Sequence, residues 1–406
     1  NTVIPMLPHQ LSNGICSLNP NVERLAISCV MEVDEKGNTV SSDIFESVIK
    51  SRKQMTYKCV NKILEENTVP EGYEEFADDL RLMYELSKII RKNKIERGYI
   101  DFDVDEAKII TDENGKAIDI TRRVQRSGEN LIEDFMIMAN EAVAETIYNM
   151  DLPFIYRVHG LPDEDKVKNF LSFVSVLGYK VNANLKKLTP KTVQDILRQL
   201  SSKKEYQILS SMLLRSMQKA IYDSVNIGHF GLASKCYTHF TSPIRRFPDL
   251  TVHRLLRTYL FKHEINNSVI DYNNQHLPEI AKHSSERERA AVQCERDVTD
   301  MKMAEYMEGH IGEVYKGVVD TVTNYGVYIE LDNLVEGMVR VDDLPNDYYY
   351  YDERSFSIIG RRTKKRYRLG DEVMVIVDSV LKDKGLINFK IYEEKKHGDK
   401  KPESKI

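Results

Sequence analysis

Residues 229–256 bring together the side chains best suited to act on a phosphate. The segment reads HFGLASKCYTHFTSPIRRFPDLTVHRLL, with cationic, hydroxyl and imidazole groups set among apolar ones. The side chain of Thr241 or Ser242 can cap a helix that begins at the following proline. Arg245 would then lie near the helix N-terminus, where free N–H groups and a guanidinium together hold a phosphate. The alternative is a capped helix whose surface arginines pair with Asp249.

Two groups of acidic residues have the chemistry of a cation site, but neither pattern predicts one. Asp101, Asp103 and Asp105 alternate in the sequence, which places them on one face of a strand, most simply the solvent face. The run fails as a calcium loop, because Glu106 stands where the loop requires glycine. A second group, interpreted as part of a solvated loop, consists of Asp342, Asp343 and Asp347. We therefore predict no metal ligands in this sequence.

Composition and charge narrow the class of protein. The 406 residues are 41% hydrophobic and 30% charged, which allows about two to four domains with sizeable cores. We expect no membrane-spanning segment, because no apolar run reaches the ~18 residues required. The net charge is -5, so any affinity for nucleic acid must come from a local patch. Scattered cysteines without a C-x-x-C pair favour a reducing, cytoplasmic compartment. They are Cys16, Cys29, Cys59, Cys236 and Cys294.

The elements that would position these residues are read from hydrophobic periodicity. Alternation over residues 26–41, interrupted by a turn at residues 34–38, predicts strand, turn and strand. A second hairpin is predicted over residues 100–120 around Asn114-Gly115. Apolar residues recur at helical spacing in several further stretches, which predicts helices. These stretches are 42–66, 73–94, 131–150, 163–177, 190–222, 243–262 and 278–308.

The sequence changes character at Gly309, which is predicted to be the C-cap of the last helix. Beyond it, short β-rich runs separated by glycines predict a small barrel of about five strands. We place a domain boundary near residue 308, so that domains span 1–308 and 309–393. Residues 394–406 have almost no apolar content and are predicted to be a basic, solvated tail.

The segment 229–256 resembles the signature late in the catalytic domain of the RNase II and RNase R family of exoribonucleases. Other blocks of the sequence resemble the family as well, and they follow the family's order across nearly the whole chain. These blocks are IPMLP at 4–8, LSNG at 11–14, CSLNP at 16–20, LIEDFM at 131–136 with Ala139-Asn140, RVHG at 157–160 with PDE at 162–164, and CERD at 294–297. The three runs within residues 4–20, which together resemble the family's mid-domain block, and the basic tail favour RNase R over RNase II proper.

The resemblance implies processive 3′-to-5′ hydrolysis of RNA to nucleoside monophosphates, with Mg²⁺ held by a cluster of aspartates. It implies that Arg245 contacts the scissile phosphate and that Tyr57 and Glu133 hold the sugar near the 3′ end. A carboxylate that accepts a hydrogen bond from a 2′-hydroxyl distinguishes RNA from DNA. Phe102 falls near an aromatic residue that clamps the stacked bases. Without the resemblance, Tyr57 and Glu133 are ordinary positions on amphipathic helices.

The family's aspartate cluster precedes the block at residues 4–8, and this sequence begins after it. We therefore expect a fragment: a mixed α/β catalytic domain incomplete at its N-terminus, followed by an OB-fold barrel, in an α+β fold class overall. The fragment is expected to be inactive alone, because two-metal hydrolysis needs carboxylates to fix the ions. The alternative is a non-catalytic RNA-binding or adaptor protein. We expect a cytoplasmic monomer.

Residues 309–393 resemble an S-one-type RNA-binding domain, an OB-fold module, through short runs at 317–319, 325–331 and 335–337. The resemblance places Tyr325 and Tyr328 on the RNA-facing side, where rings stack on bases; alternatively, Tyr328 lies in the barrel core. A run from Arg354 to Arg368 is basic and lacks acids, which is typical of a segment that follows a phosphate backbone or of a solvated loop. Its members include Arg361, Arg362, Lys364, Lys365 and Arg366. The predicted partner is single-stranded RNA.

Overall fold

The structure is a computed structural model that describes residues 4–102, 106–183, 188–353 and 355–393. The chain divides into two compact units. The first unit comprises Asn1–Asp103, Val124–Ser172 and Lys180–Val292, and the second comprises Val104–Arg123, Phe173–Tyr179 and Gln293–Ile406. Within the described ranges, no helix is both long and apolar enough to cross a bilayer.

Helices and strands alternate along the first two thirds of the chain, and strands dominate the last third. The helices are α1 (Tyr57–Glu65), α2 (Ala77–Arg97), α3 (Ser127–Asn149), α4 (Glu164–Val176), α5 (Pro190–Leu200), α6 (Tyr206–Arg215), α7 (Phe247–Leu256) and α8 (Asn267–Glu308). The strands are β1 (Glu23–Val33), β2 (Thr39–Lys50), β3 (Glu106–Thr111), β4 (Ala117–Arg123), β5 (Tyr156–Val158), β6 (Ile221–Asp223), β7 (Val314–Val322), β8 (Gly326–Leu331), β9 (Glu336–Arg340), β10 (Tyr349–Asp352), β11 (Ser357–Gly360), β12 (Arg366–Arg368), β13 (Glu372–Leu381) and β14 (Leu386–Ile391).

A long antiparallel ribbon of β1 and β2 packs against the helices of the first unit. The turn between the two strands requires Gly37, because its φ is +80° and an added Cβ would lie 2.9 Å from the carbonyl oxygen of Ile89. On the inner face of the ribbon, Ile44 is buried with Val143 and Ile147 of α3. The ribbon thereby supports α3, the helix that carries Glu133.

The prediction of one helix over residues 42–66 is wrong. The first part of this stretch is β2, which pairs with β1 along its length. The helix that follows begins only at Tyr57, where the Thr56 hydroxyl accepts a hydrogen bond from the backbone N–H of Cys59 at 3.4 Å. This strand is the second arm of the predicted hairpin, which continues beyond residue 41 to Lys50 although its apolar spacing also fits a helix.

Two other helix predictions are wrong in extent. The stretch 190–222 contains α5, a break, α6 and finally β6, which pairs antiparallel with β5. The stretch 243–262 becomes α-helical only at Phe247 and ends in a π-helical turn over Arg257–Phe261. Tertiary pairing and the local turn before α7 replace the continuous helices that apolar spacing favoured.

The last long helix and the second hairpin are confirmed with different limits. Helix α8 begins at Asn267 rather than at residue 278, and Pro278 lies inside it. It ends before Gly309 as predicted, but the left-handed φ expected of a glycine cap occurs at Gly312. The hairpin turns at Asn114-Gly115 as predicted, and its strands are β3 and β4.

A closed barrel of β13, β14, β9, β8 and β7, in that order, confirms the five-stranded barrel in the second unit. Its core contains Val319, Val327 and Ile329. Gly337 on β9 allows close packing, because an added Cβ would lie 2.4 Å from the ring of Phe389. The structure adds a three-stranded sheet of β10, β11 and β12 that the sequence did not predict. The α+β fold class with a terminal barrel is confirmed.

The predicted domain boundary near residue 308 stays a prediction. The second unit includes the end of α8 from Gln293 onward, together with the β3–β4 hairpin. The predicted tail at 394–406 lies outside the described residues.

Candidate functional site

The segment around Arg245 forms a tight turn that precedes α7. The carbonyl oxygen of Ser242 accepts hydrogen bonds from the backbone N–H groups of Arg245 and Arg246, at 3.3 and 3.1 Å. The carboxylate of Asp249 accepts from the backbone N–H of Ser242 and from the Arg246 guanidinium, both at 2.7 Å. Asp249 is fully buried, so the turn is fixed from inside and Arg245 is left exposed.

The expected helix cap is therefore wrong in detail. The helix begins four residues later than expected from Pro243, and no side-chain hydrogen bond caps it at Arg246. The alternative, in which surface arginines pair with Asp249, holds only for Arg246, and its acidic partner is buried rather than on the surface. Within the described ranges, three buried polar atoms of this turn lack hydrogen-bond partners: Thr241 Oγ1, Arg246 Nε and Asp249 Oδ2. Such atoms are rare in folded proteins, and an ordered water or a bound ligand can supply their missing partner.

A cavity of about 550 Å³ opens beside this turn. Three guanidinium groups line it, those of Arg245, Arg246 and Arg287, together with His283 and Glu288. The cationic side chains outnumber the single carboxylate, and Glu288 already pairs with an arginine outside the cavity lining. The cavity therefore offers a positive potential to an anionic ligand such as a phosphate.

The arginine that pairs with Glu288 is Arg157, whose side chain connects β5 to α8 and β6. Its guanidinium lies 2.6 Å from a carboxylate oxygen of Glu288 and over the ring of Tyr222 at 4.6 Å. The Tyr222 hydroxyl lies 2.8 Å from Nδ1 of His239. Burial, together with the positive charges of Arg246 and Arg157, lowers the pKa of His239 to about 2. The imidazole is thus neutral near pH 7 and acts as a fixed hydrogen-bonding partner of Tyr222.

A ladder of aromatic rings continues from His239 through Tyr237 and His229 to His159, with ring centroids 5.1 to 5.7 Å apart. Burial and the nearby His159 lower the pKa of His229 to about 3. Asn140 on α3 anchors this segment. Its side-chain amide donates to the Tyr237 hydroxyl at 3.0 Å and accepts from the backbone N–H of Phe240 at 2.9 Å. The sequence indicated the polar density of this segment but not the packing of its rings against one another.

Glu133 lies on α3 within a network of charged and polar groups. One carboxylate oxygen accepts from the Lys94 ammonium at 3.3 Å and from the Tyr99 hydroxyl at 3.2 Å, and the other accepts from the Gln125 amide at 2.7 Å. The side chain is 30% exposed. Glu133 is therefore oriented by three donors while part of its carboxylate still faces solvent.

A buried ion pair supports that arrangement from below. Lys94 and Asp134 are almost completely buried, and the ammonium lies 2.8 Å from the Asp134 carboxylate. Arg91 and the Ser87 hydroxyl each donate to the other oxygen of Asp134 at 2.9 Å. Burial and the nearby carboxylate of Glu133 raise the pKa of Tyr99 well above its ordinary value. The Tyr99 hydroxyl thus stays protonated and can donate. Periodicity had indicated only amphipathic helices here.

Tyr57 is the first residue of α1, and its side chain is 48% exposed. Helices α1 and α3 are joined by Asn61, whose amide accepts from the backbone N–H of Gly128 at 2.7 Å and donates to Glu129 at 3.0 Å. The structure thus brings the helices of Tyr57 and Glu133 together. Within the described ranges, no hydrogen bond links the two side chains directly.

Phe102 lies at the end of a described range and is half-buried. Its carbonyl oxygen accepts a hydrogen bond from the Ser210 hydroxyl at 2.6 Å. Its backbone is therefore fixed against α6. The role of its ring in clamping bases stays a prediction. Of the neighbouring acids, Asp103 and Asp105 lie outside the described residues.

The barrel presents Tyr325 and Tyr328 as a pair. The rings meet edge to face with centroids 6.3 Å apart, and the Tyr328 hydroxyl donates to that of Tyr325 at 3.3 Å. Partial burial and this hydrogen bond raise the pKa of Tyr328 to about 12. The alternative that Tyr328 lies in the barrel core is wrong, because the core side chains of β8 are Val327, Ile329 and Leu331, which point to the opposite face.

The basic run does not present all of its charges. Lys365 pairs with Glu393 at 2.7 Å, and Arg368 pairs with Asp371 at 3.1 Å. Arg362 donates to the carbonyl oxygen of Asn346 at 2.9 Å. The run lacks acids in sequence, but the fold supplies them from elsewhere. Arg354 lies outside the described residues. The exposed cations of the run whose side chains keep neither an acidic partner nor a carbonyl acceptor among the described residues are Arg361, Lys364 and Arg366.

The residues present do not fit a Mg²⁺ ion by themselves. In the part of the chain that the structure describes, no three His, Cys, Asp or Glu side chains converge as metal ligands. Asp347, one of the acids interpreted as solvated, instead accepts hydrogen bonds from the backbone of Arg362 and Thr363. We assign no step of chemistry to a metal within these residues.

Two domain families and several curated proteins match this sequence. The family model of the RNB domain matches residues 1–262, and that of the S1 RNA binding domain matches residues 309–391. Ribonuclease R 1 of Lactococcus lactis is 43% identical over 388 residues, which are 95% of this chain and 47% of the relative. Ribonuclease R of Thermotoga maritima is 44% identical over 396 residues, which are 97% of this chain and 56% of the relative.

A solved structure shares the fold. Mycoplasma genitalium RNase R in complex with ribose methylated single-stranded RNA is 30% identical, with a TM-score of 0.92 over 96% of this chain and 61% of that one. The chain thus spans about half the length of the curated relatives it matches.

Proposed function

The chain belongs to the RNase II and RNase R family of RNB-domain proteins, and on this premise we propose that it is the distal part of an RNase R-like 3′-to-5′ exoribonuclease. The complete enzyme would release nucleoside 5′-monophosphates from the 3′ end of single-stranded RNA by hydrolysis. The observation that carries the proposal is the exposed Arg245 at a cationic cavity, on a turn that the buried Asp249 fixes.

In this proposal, Arg245 contacts the scissile phosphate. A guanidinium is planar and can donate two parallel hydrogen bonds to phosphate oxygens, which positions the phosphate as well as neutralising it. Arg246 is committed to Asp249, so it shapes the turn while Arg245 is available to the ligand. Tyr222 lines the cavity, and the neutral His239 beside its hydroxyl adds no charge that would compete for the phosphate.

Glu133 and Tyr57 would hold the terminal sugar. The exposed part of the Glu133 carboxylate can accept a hydrogen bond from a 2′-hydroxyl, which DNA lacks. Lys94 and Tyr99 approach the same carboxylate from the protein side and would keep it oriented. Phe102 is proposed to clamp the stacked bases, and Tyr325 and Tyr328 to stack on bases farther along the strand.

We propose that residues 1–406 alone release no nucleotides, because the described residues do not fit the Mg²⁺ that the family uses. The ion would stabilise the attacking and leaving oxygens in the complete enzyme. Its carboxylate ligands would belong to the aspartate block that precedes IPMLP in the family. The monomeric state and the cytoplasmic location stay predictions.

A chimaera tests this function. The part of the Lactococcus lactis relative that precedes the matching region is joined to Asn1, and shortening of a 5′-labelled RNA is followed on gels in Mg²⁺. The chimaera should degrade RNA from its 3′ end and residues 1–406 should not. Arg245→Lys should slow degradation by at least about 100-fold, because a preorganised phosphate contact contributes roughly 2.7 kcal/mol or more.

The same chimaera tests the sugar contacts. Glu133→Ala and Tyr57→Ala should each lower the ratio of the RNA rate to the DNA rate, whereas Lys88→Met on the exposed side of α2 should leave it unchanged. An unchanged ratio in both variants would limit these residues to helix packing. Full activity of Arg245→Lys, or robust degradation by residues 1–406 alone, would contradict the roles proposed above. A chimaera that binds RNA but never shortens it would favour the adaptor alternative.

A further inference from the structure

The sheet of β10, β11 and β12 has two distinct faces. One face carries Ile358 and Tyr367, which are buried in the barrel core, with Tyr349 packed against the same core. Residues on neighbouring strands that pair directly point to the same side. The register pairs Tyr350 with Ile359. On the opposite side, the central strand β11 is buried as well, so only the outer strands and the β11–β12 loop can meet a partner there.

The register aligns a ring and a cation on that opposite side. Ile359 pairs in turn with Arg366, so Tyr350, Ile359 and Arg366 form one row across the three strands. Tyr350 is 42% exposed and Arg366 is exposed, whereas Ile359 between them is buried. Tyr348, just before β10, is 84% exposed, and its carbonyl oxygen accepts from the backbone N–H of Arg361 at 2.8 Å.

The loop between β11 and β12 holds further cations in a fixed conformation. The Asp347 carboxylate accepts from the backbone N–H groups of Arg362 and Thr363, at 3.0 and 2.5 Å, and from the Thr363 hydroxyl at 2.6 Å. Lys364 adopts a left-handed φ of 59° within the same turn. Because the loop is already ordered, a ligand that binds it loses little additional conformational entropy.

We propose that Tyr348, Tyr350, Arg361, Lys364 and Arg366 form a second RNA-binding surface, here called the Tyr350 face, in addition to the Tyr325–Tyr328 pair. It deepens the proposed function, on which it rests, by assigning part of the RNA strand to this sheet. The two rings would stack on bases and the three cations would contact phosphates. Charge identifies the partner as a polyanion, because none of the three cations has an acidic partner among the described residues. The adjacent exposed rings favour single-stranded RNA over an acidic protein.

The segment contains its own matched control. Lys365 and Arg368 lie in the same short stretch but are neutralised by Glu393 and Asp371. Each substitution of Lys365 or Arg368 by alanine removes one positive charge, as does each substitution of an unpaired cation. A general effect of net charge would therefore appear in both sets of variants, whereas a specific surface would respond only to the unpaired set.

Fluorescence anisotropy of a labelled 12-nucleotide RNA tests the proposal with residues 1–406. Tyr348→Ala/Tyr350→Ala and Arg361→Ala/Lys364→Ala/Arg366→Ala should each weaken binding by at least about fivefold. Lys365→Ala/Arg368→Ala should change it by less than about twofold, and Tyr348→Phe/Tyr350→Phe should retain binding. Circular dichroism melts check that each variant is folded.

The losses should add to those of Tyr325→Ala/Tyr328→Ala if the two surfaces bind separate parts of the strand. Wild-type binding with no loss in the Tyr350-face variants would overturn the surface while leaving the proposed function intact. Equal losses for RNA and for inorganic polyphosphate in the tyrosine variant would overturn the stacking role. No binding by the wild-type chain would overturn both the surface and the RNA-binding part of the proposed function.

Discussion

Two buried charged residues, Asp249 and Lys94, determine how neighbouring charged side chains are held. Asp249 holds the turn before α7 and pairs with Arg246, so that Arg245 is the arginine left exposed. Lys94 plays a similar part for Glu133, because its ammonium lies between that carboxylate and Asp134. In both places a buried charge fixes the surroundings of a more exposed charged side chain, the one proposed above to contact RNA.

Lys94→Met should destabilise the chain by about 3–5 kcal/mol, because it leaves the Asp134 carboxylate buried without its closest cation. Urea unfolding at pH 7, followed by tyrosine fluorescence, measures the loss. Lys88→Met on the same helix should cost less than about 0.5 kcal/mol, because Lys88 is half exposed and pairs only on the surface. Equal costs for the two variants would mean that the buried pair contributes no more than a surface one.

At the scale of elements, single side chains connect separate pieces of the second unit. The Glu305 carboxylate on α8 accepts from the Lys302 ammonium at 2.7 Å, from the Lys382 ammonium at 2.5 Å and from the backbone N–H of Ala117 at 3.0 Å. It thereby fixes the β3–β4 hairpin and the turn after β13 to one helix. The hydrogen bonds from these two lysines and from Ala117 lower the pKa of Glu305 to about 2.

Glu305→Gln should therefore lower stability by about 1–3 kcal/mol at pH 7, since a neutral amide cannot accept from both lysines. A carboxylate whose pKa is lowered in the folded state stabilises the fold above its unfolded pKa of 4.5. That contribution is lost as the pH falls from 4.5 toward about 2. The stability difference between wild type and variant should thus shrink over this range.

Urea unfolding between pH 7 and pH 3 measures that difference. Glu295→Gln, at an exposed position of the same helix, serves as the control and should change stability little at any pH. A Glu305→Gln difference that stays constant with pH would contradict the assignment of the lowered pKa to this carboxylate.

For the whole molecule, charge distribution matters more than net charge. The chain carries 63 acidic and 58 basic residues, so its overall field does not attract RNA. Ion pairs within the fold cancel some cations and leave others available, as in the segment that contains Lys365 and Arg366. RNA binding should therefore depend on a few unpaired cations.

The affinity of residues 1–406 for single-stranded RNA should fall as salt rises, with a log–log slope of about -0.7 for each phosphate contact. Arg361→Ala/Lys364→Ala/Arg366→Ala should reduce the slope by about 2, because three contacts of that size are lost. Anisotropy titrations at four salt concentrations give the slope. Lys365→Ala/Arg368→Ala should leave it nearly unchanged, and an unchanged slope in the triple variant would assign the salt dependence to other residues.

The sequence alone determined the features that are local or carried by motif. The change at Gly309 predicted the five-stranded barrel, Asn114-Gly115 predicted a hairpin turn, and the ordered blocks around Arg245 indicated the family. These signals depend on turn chemistry, periodicity and motif order, which are all written in neighbouring residues.

Only the tertiary structure decided which residues pair as strands and which cations are neutralised by acids. Residues 42–50 have helical spacing yet form β2, because pairing with β1 along the whole ribbon overrides the local apolar pattern. Lys365 is neutralised and Arg366 is not, because Glu393 is brought to one and no acid among the described residues to the other. Strand pairing and ion pairing join residues distant in sequence, so their outcome depends on the folded arrangement rather than on local pattern.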